Sequence, residues 1–222
     1  MEDYEQLPGV SKVLVTQRVL NEYTLYLTDT IISADQYIDH FATFKEAGPD
    51  DVIFLHLNSQ GGSVSVGQMY IRHMRECAAP IIGFVGMDCA SQCAAIAMQC
   101  DDLVVDEMST MLIHSFSYGA QKDAVGVYKQ ATFNMKLNET WLNSNFTGML
   151  TDEEREDVLK GADVLLDSAQ IEERWAKIYD LRHPSPEDAE EGGGTDLDPE
   201  EAAMNRAIVN GLEQAVWPEK LK

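Results

Sequence analysis

The chain has 222 residues, 45% of them hydrophobic, and a formal net charge of −22 at pH 7. That is enough for one α/β domain with a sizeable core, plus a tail. The acid excess repels phosphate backbones and anionic lipid, so nucleic acid and membrane surfaces are excluded as expected partners.

Residues 1–10 carry acids and no long apolar run, so no secretory signal is expected. Residues 13–19 (VLVTQRV) and 23–32 (YTLYLTDTII) read as strands, being short, β-branched and aromatic. Residues 33–48 predict a helix with Ser33 as N-cap, an apolar stripe of Tyr37, Ile38, Phe41 and Phe44, and Gly48 past its end. The buried strand 51–58 ends in the turn SQGGS and is followed by a helix over 66–77. Then come the strand PIIGFVG (80–86), a turn, the helix SQCAAIAMQC (91–100), and two short strands within 103–115. This alternation is the rhythm of an α/β layer with right-handed crossovers, which presents reactive groups beyond the carboxyl ends of its strands. A long polar helix over 123–146 follows, then a charged one over 151–160 stopped by Gly161.

From Pro184 the composition turns to acid, Pro and Gly, which marks a linker. Asp198 can cap a last helix with Pro199 at its first position and Met204, Ile208 and Leu212 as its stripe. The expected organisation is therefore a catalytic domain over 1–183 and a linker with a helix over 184–222. No stretch reaches the roughly 18 to 20 apolar residues that span a bilayer. A soluble, cytoplasmic protein is expected, with Cys77, Cys89, Cys93 and Cys100 as buried reduced thiols. Cys89 and Cys93 have helix-like spacing but no companion ligands for zinc, and no metal is expected.

Three segments carry chemistry. In Asn58-Ser59-Gln60-Gly61-Gly62-Ser63, paired glycines allow φ > 0 and close backbone approach, so their amides can face a carbonyl or oxyanion; an ordinary tight turn is the bland alternative. In the segment 86–95, a strand runs into a turn and Ser91 opens a helix of small residues. Its hydroxyl would lie among free amides, with the amide of Gln92 aimed at the same spot, or Ser91 would merely cap the helix. In the segment 111–115, His114 ends an apolar strand, where a histidine is usually structural. A nucleophilic serine needs a base within hydrogen-bond reach and two amides for the oxyanion, and these elements occur together, each at a strand end. His40, His56, His73 and His183 show no ligand constellation.

Residues 58–62 resemble the Asn-Ser-Pro-Gly-Gly segment of the ClpP (caseinolytic protease proteolytic subunit) family of serine peptidases. Residues 86–95 resemble its nucleophile segment, 111–114 its Met-Ile-His segment, and Thr147-Gly148 its later Thr-Gly region. The similarity runs in family order from about Tyr26 to Trp175. It implies a ClpP/crotonase-like spiral of ββα units with a protruding helical handle, formed by the helix from about Asp123 to Asn145. It also implies a Ser91–His114–acid triad, an oxyanion hole from the amides of Gly62 and Gln92, and no cofactor. Two acids compete for the triad. Ungapped counting from Thr147-Gly148 reaches Asp157, inside a charged helix. Asp163 follows the Gly161 stop, precedes an apolar run and matches the spacing from His114 more closely, though it could correspond to a second, structural acid. Asp163 is the expected third member.

The resemblance further implies self-assembly into stacked heptameric rings, as a tetradecamer acting on unfolded proteins and peptides. A separate ATP-dependent unfoldase would feed it, since nothing in this chain resembles a phosphate-binding loop. Gln60 stands where the family has Pro, which would loosen that loop, and Cys89 and Cys93 flank the nucleophile. Three alternatives are an enzyme of the enoyl-CoA hydratase fold, an inactive structural subunit of a mixed ring, and a viral head-maturation peptidase.

Overall fold

The computed structural model describes residues 20–183. The strand expected over 13–19, the linker from Pro184 and the terminal helix lie outside the described residues. In order the chain forms β1 (Glu22–Leu27), a 3₁₀ turn (Ala34–Tyr37), α1 (Ile38–Glu46), β2 (Val52–Ser59), α2 (Val64–Glu76) and β3 (Ile81–Ala90). Then follow α3 (Gln92–Ala97), β4 (Asp102–Val105), β5 (Thr110–Ile113), α4 (Ala124–Phe146), α5 (Asp152–Leu159), β6 (Val164–Asp167) and α6 (Ser168–Arg182).

The strands form one sheet in the order β1-β2-β3-β5-β6, with β4 also paired to β3. All pairs are parallel except β5–β6. The long β3 serves two partners, β4 along Ile82–Val85 and β5 at Cys89 and Ala90. The site follows from this fork, because β5 is brought beside the very end of β3. In β2, Ile53, Leu55 and Leu57 alternate into the core, fully buried, while Phe54 and His56 take the other face half-buried. On that face Tyr26, His56 and Phe84 stack in register across three strands. No described helix is long and apolar enough to cross a membrane.

Ser33 does cap, in a capping box with Gln36, but it caps the 3₁₀ turn that precedes α1. The tighter turn shifts the phase of the expected stripe. Tyr37 and Phe44 are buried, Phe41 packs beside them, and Ile38 faces solvent at 59% exposure. Tyr70 of α2 fills the α1–α2 contact, edge-on to Tyr37 and Phe44, and its hydroxyl lies 2.8 Å from His40 Nδ1.

Burial lowers the pKa of His40 below its ordinary value of 6.5, against a weaker upward pull from Asp39. The folded state then binds fewer protons at His40 than the unfolded state does. Its contribution to stability is present above pH 6.5 and is lost as the pH falls through the folded-state value. Urea unfolding between pH 7.5 and 5 should show that loss, and His40→Gln should flatten it; an unchanged slope in the variant would assign the effect elsewhere.

Candidate active site

The segment after β2 is held closely despite Gln60. Ser59 Oγ donates to the Asp29 carbonyl (2.7 Å) and accepts from the Gly61 amide (3.1 Å). Ile31 bridges the turn, donating to the Gly61 carbonyl (2.8 Å) and accepting from the Ser63 amide (2.7 Å). The loosening expected without proline is therefore offset by Ser59 and Ile31. Because the bridge uses Gly61 and Ser63, the amide of Gly62 points to the opposite side of the segment, where Gly62 is exposed. Both glycines have positive φ, +86° at Gly61 and +143° at Gly62. A β-carbon on Gly61 would lie 2.6 Å from the Ala90 carbonyl and 2.8 Å from both the Gln92 nitrogen and Ser91 Cβ. The Gly-Gly turn is thus pressed directly against the serine segment, and an ordinary tight turn would not require that contact.

The residues expected to form a turn before Ser91 belong to β3, which runs to Ala90. Ser91 then has φ 56° and ψ −119°, and among the described residues no other non-glycine residue has positive φ. An N-cap residue normally has extended backbone and a side chain bonded to the first turn. Ser91 has neither, so the capping alternative fails. A backbone of this kind costs roughly 1–3 kcal/mol and persists only where its surroundings impose it. Here they do: the Ser91 amide donates to the Leu112 carbonyl of β5 at 2.7 Å, and Gly61 packs on its other side. The helix that follows has six residues, Gln92–Ala97, shorter than the 91–100 expected, so its dipole adds less than a longer helix would.

His114 follows the last residue of β5, whose parallel register with β3 pairs Ala90 with Leu112. Serine and histidine therefore leave adjacent strand ends. The antiparallel β5–β6 ladder ends where Ile113 pairs with Val164; His114 immediately follows the first and Asp163 immediately precedes the second. His114 Nδ1 lies 2.7 Å from the Ser115 carbonyl. A carbonyl only accepts, so Nδ1 is the donor here, and in the neutral ring Nε2 is the nitrogen that carries the lone pair. Among the described residues no hydrogen bond joins His114 to Ser91 or to an acid. Asp157 is tied up on the α5 surface, with its carboxylate 3.5 Å from Lys160 Nζ and 53% exposed. Asp163, just before β6, is exposed as well.

Sequence reading missed the inner face of α4. Its buried residues include Asn134, Asn138, Trp141 and Asn145, at helical spacing. Asn138 donates to Ser115 Oγ (2.9 Å) and accepts from the Phe116 amide (3.2 Å), which braces the chain just after His114. Ser115 Oγ in turn donates to the Val158 carbonyl. Trp141 Nε1 donates to Gln92 Oε1 at 3.2 Å, just after Ser91. Because an indole N–H can only donate, this bond fixes the amide's orientation and leaves Gln92 Nε2 buried without a partner. Such an orphan costs about 1–3 kcal/mol. The repeat of Asn at positions 134, 138 and 145 was the available signal, hidden because buried amides and exposed ones look alike in sequence. All four cysteines are buried and none forms a disulfide among the described residues, and Cys89 and Cys93 lie 3.8 Å apart, sulfur to sulfur.

Comparison with known families matches residues 9–166, well over half of the chain, to the Clp protease family. The chain belongs to the Clp protease family. It is a ClpP-type peptidase built on that family's mixed α/β fold, and Clp proteases assemble into rings that act on protein substrates. This sets aside the enoyl-CoA hydratase reading. No curated protein matches the chain.

Proposed function

We propose that the chain is a serine endopeptidase that cleaves unfolded proteins and peptides through an acyl-enzyme on Ser91. The observation that carries this reading is the backbone of Ser91: strained, gripped between Gly61 and Leu112, and with its hydroxyl unused as a cap. His114 Nε2 takes the hydroxyl proton as Ser91 Oγ attacks the scissile carbonyl. The oxyanion is received by the amides of Gly62 and Gln92, which is the largest single contribution in such sites. His114 then gives its proton to the leaving amine, and water, deprotonated by the same nitrogen, releases the acid. Asp163 stabilises the imidazolium once the ring turns Nδ1 from the Ser115 carbonyl towards it. Bonds of this kind are commonly looser before substrate binds.

We place this activity in a stacked ring, heptameric by family analogy, in the cytoplasm and fed by a separate ATP-dependent unfoldase. The α4 residues Val125, Tyr128, Phe133 and Met135 support assembly, each more than 60% exposed on a helix that would otherwise show a large apolar surface to water. Four buried thiols outside any disulfide among the described residues suit a reducing compartment.

A fluorophosphonate serine-hydrolase probe, mapped by peptide mass, should label Ser91 in the wild-type chain and fail to label His114→Ala. Asp163→Asn should slow labelling and peptide hydrolysis roughly 10³- to 10⁴-fold, by analogy with triad acids elsewhere, while Asp157→Asn stays near wild type. The reverse ranking would move the triad acid to Asp157. No labelling of the assembled wild-type protein would favour an inactive structural subunit.

A further inference from the structure

We propose that the side chain of Gln92 is a positioning residue, which holds the peptide after the nucleophile in its oxyanion-binding orientation by accepting a hydrogen bond from Trp141. The proposal rests on the reading of Ser91 as nucleophile and of the Gln92 amide as an oxyanion donor.

Two features of this side chain work against stability. Gln92 is fully buried with an unpartnered donor, where an apolar chain of the same length would leave none. The facing helix α2 carries Gly67, the residue a helix interior tolerates least after proline, and a β-carbon there would collide with Gln92 Cγ. Packing alone would favour the opposite choices, a larger residue in α2 and an apolar one after Ser91.

What the arrangement supplies is a fixed link from α4 to the 91–92 peptide. Trp141 is itself immobilised, edge-on to Phe146 and Phe116, with its carbonyl accepting from Asn145 Nδ2 at 2.7 Å. Asn145 Oδ1 accepts from Gln99 Nε2, and Gln99 Oε1 accepts two bonds from Arg75, at 3.0 and 2.8 Å. The chain from Gln92 to Gln99 is thus clamped to α4 at both ends. The carbonyl of the 91–92 peptide, that of Ser91, accepts from the Ala95 amide at 3.2 Å, and the clamp adds a second hold on the start of this six-residue helix. The amide of Gln92 is attached to the Cα that carries the clamped side chain, so the clamp restricts the swing of that peptide about this Cα.

The test uses the full chain and a short fluorogenic peptide, with fluorophosphonate labelling and thermal unfolding in parallel. The double variant Gln92→Met with Trp141→Phe removes both partners and the orphan donor, so it should melt at or above the wild-type temperature. Its kcat should nevertheless fall roughly 10- to 100-fold with KM within about twofold, and labelling of Ser91 should slow in proportion. Trp141→Phe alone keeps the ring packing and should show the same loss of kcat. Wild-type kcat in either folded variant overturns the proposal. Failure of the wild-type chain itself to label at Ser91 would instead remove the nucleophile assignment, and the proposal with it.

Discussion

Ser91→Gly should make the protein more stable while abolishing peptide hydrolysis. At φ 56° and ψ −119° an L-residue meets its own β-carbon unfavourably, and glycine does not. Relief of that strain is worth about 1–3 kcal/mol, against about 0.5–1 kcal/mol of extra backbone entropy that glycine gives the unfolded chain. The net expectation is a gain of roughly 1 kcal/mol in urea unfolding. Loss of the hydroxyl removes the nucleophile, and hydrolysis of a fluorogenic peptide should drop by at least about 10⁴-fold. Ser91→Ala, which keeps the β-carbon and the strain, should lose the same activity with no gain in stability. Equal stability of the glycine and alanine variants would mean that the backbone at Ser91 is not under strain. Retained hydrolysis in both would remove Ser91 from the chemistry.

This trade between stability and chemistry explains which parts of the molecule the sequence revealed. The parallel core was legible because Ile53, Leu55 and Leu57 sit in an uninterrupted apolar run, and burial on that face leaves little choice of period. The ends of β2 and β5 were legible because Gly61-Gly62 and His114 break the local pattern, whereas β3 runs four residues past the expected Gly86, to Ala90. The conformation at Ser91 was not legible, since serine before a run of small residues fits an ordinary N-cap equally well. What rejects the cap is the backbone at φ 56° and ψ −119°, which tertiary contacts such as the bond from the Ser91 amide to Leu112 hold in place. The choice between Asp157 and Asp163 was likewise a question of register. Spacing alone admitted both, and the ladder that would tell them apart stops at the pairing of Ile113 with Val164, one residue short of His114. Ile38 went astray because a 3₁₀ turn advances each residue by more than an α-turn does, so the expected stripe lost its phase at Tyr37.

Gly61→Ala should be severely damaging to hydrolysis, though less so than loss of Ser91, even though Gly61 has no functional group. Two costs coincide there. Its φ of +86° is strained for alanine by about 1–2 kcal/mol. The added methyl would also stand 2.6 Å from the Ala90 carbonyl and 2.8 Å from the Gln92 nitrogen, both backbone atoms that cannot swing aside. The turn and the serine segment must therefore separate, and separation removes the Gly62 amide from the reach of any oxyanion formed at Ser91. A displaced donor of this kind costs on the order of 10²- to 10³-fold in kcat. Urea unfolding should show a loss of roughly 2–4 kcal/mol, the overpacking and backbone costs together. Ser91 labelling should slow with kcat, because the probe's phosphoryl oxygen needs the same amides. If Gly61→Ala were destabilised yet labelled Ser91 at the wild-type rate, the paired-glycine turn would be a structural buttress, and the oxyanion donors would have to be sought elsewhere.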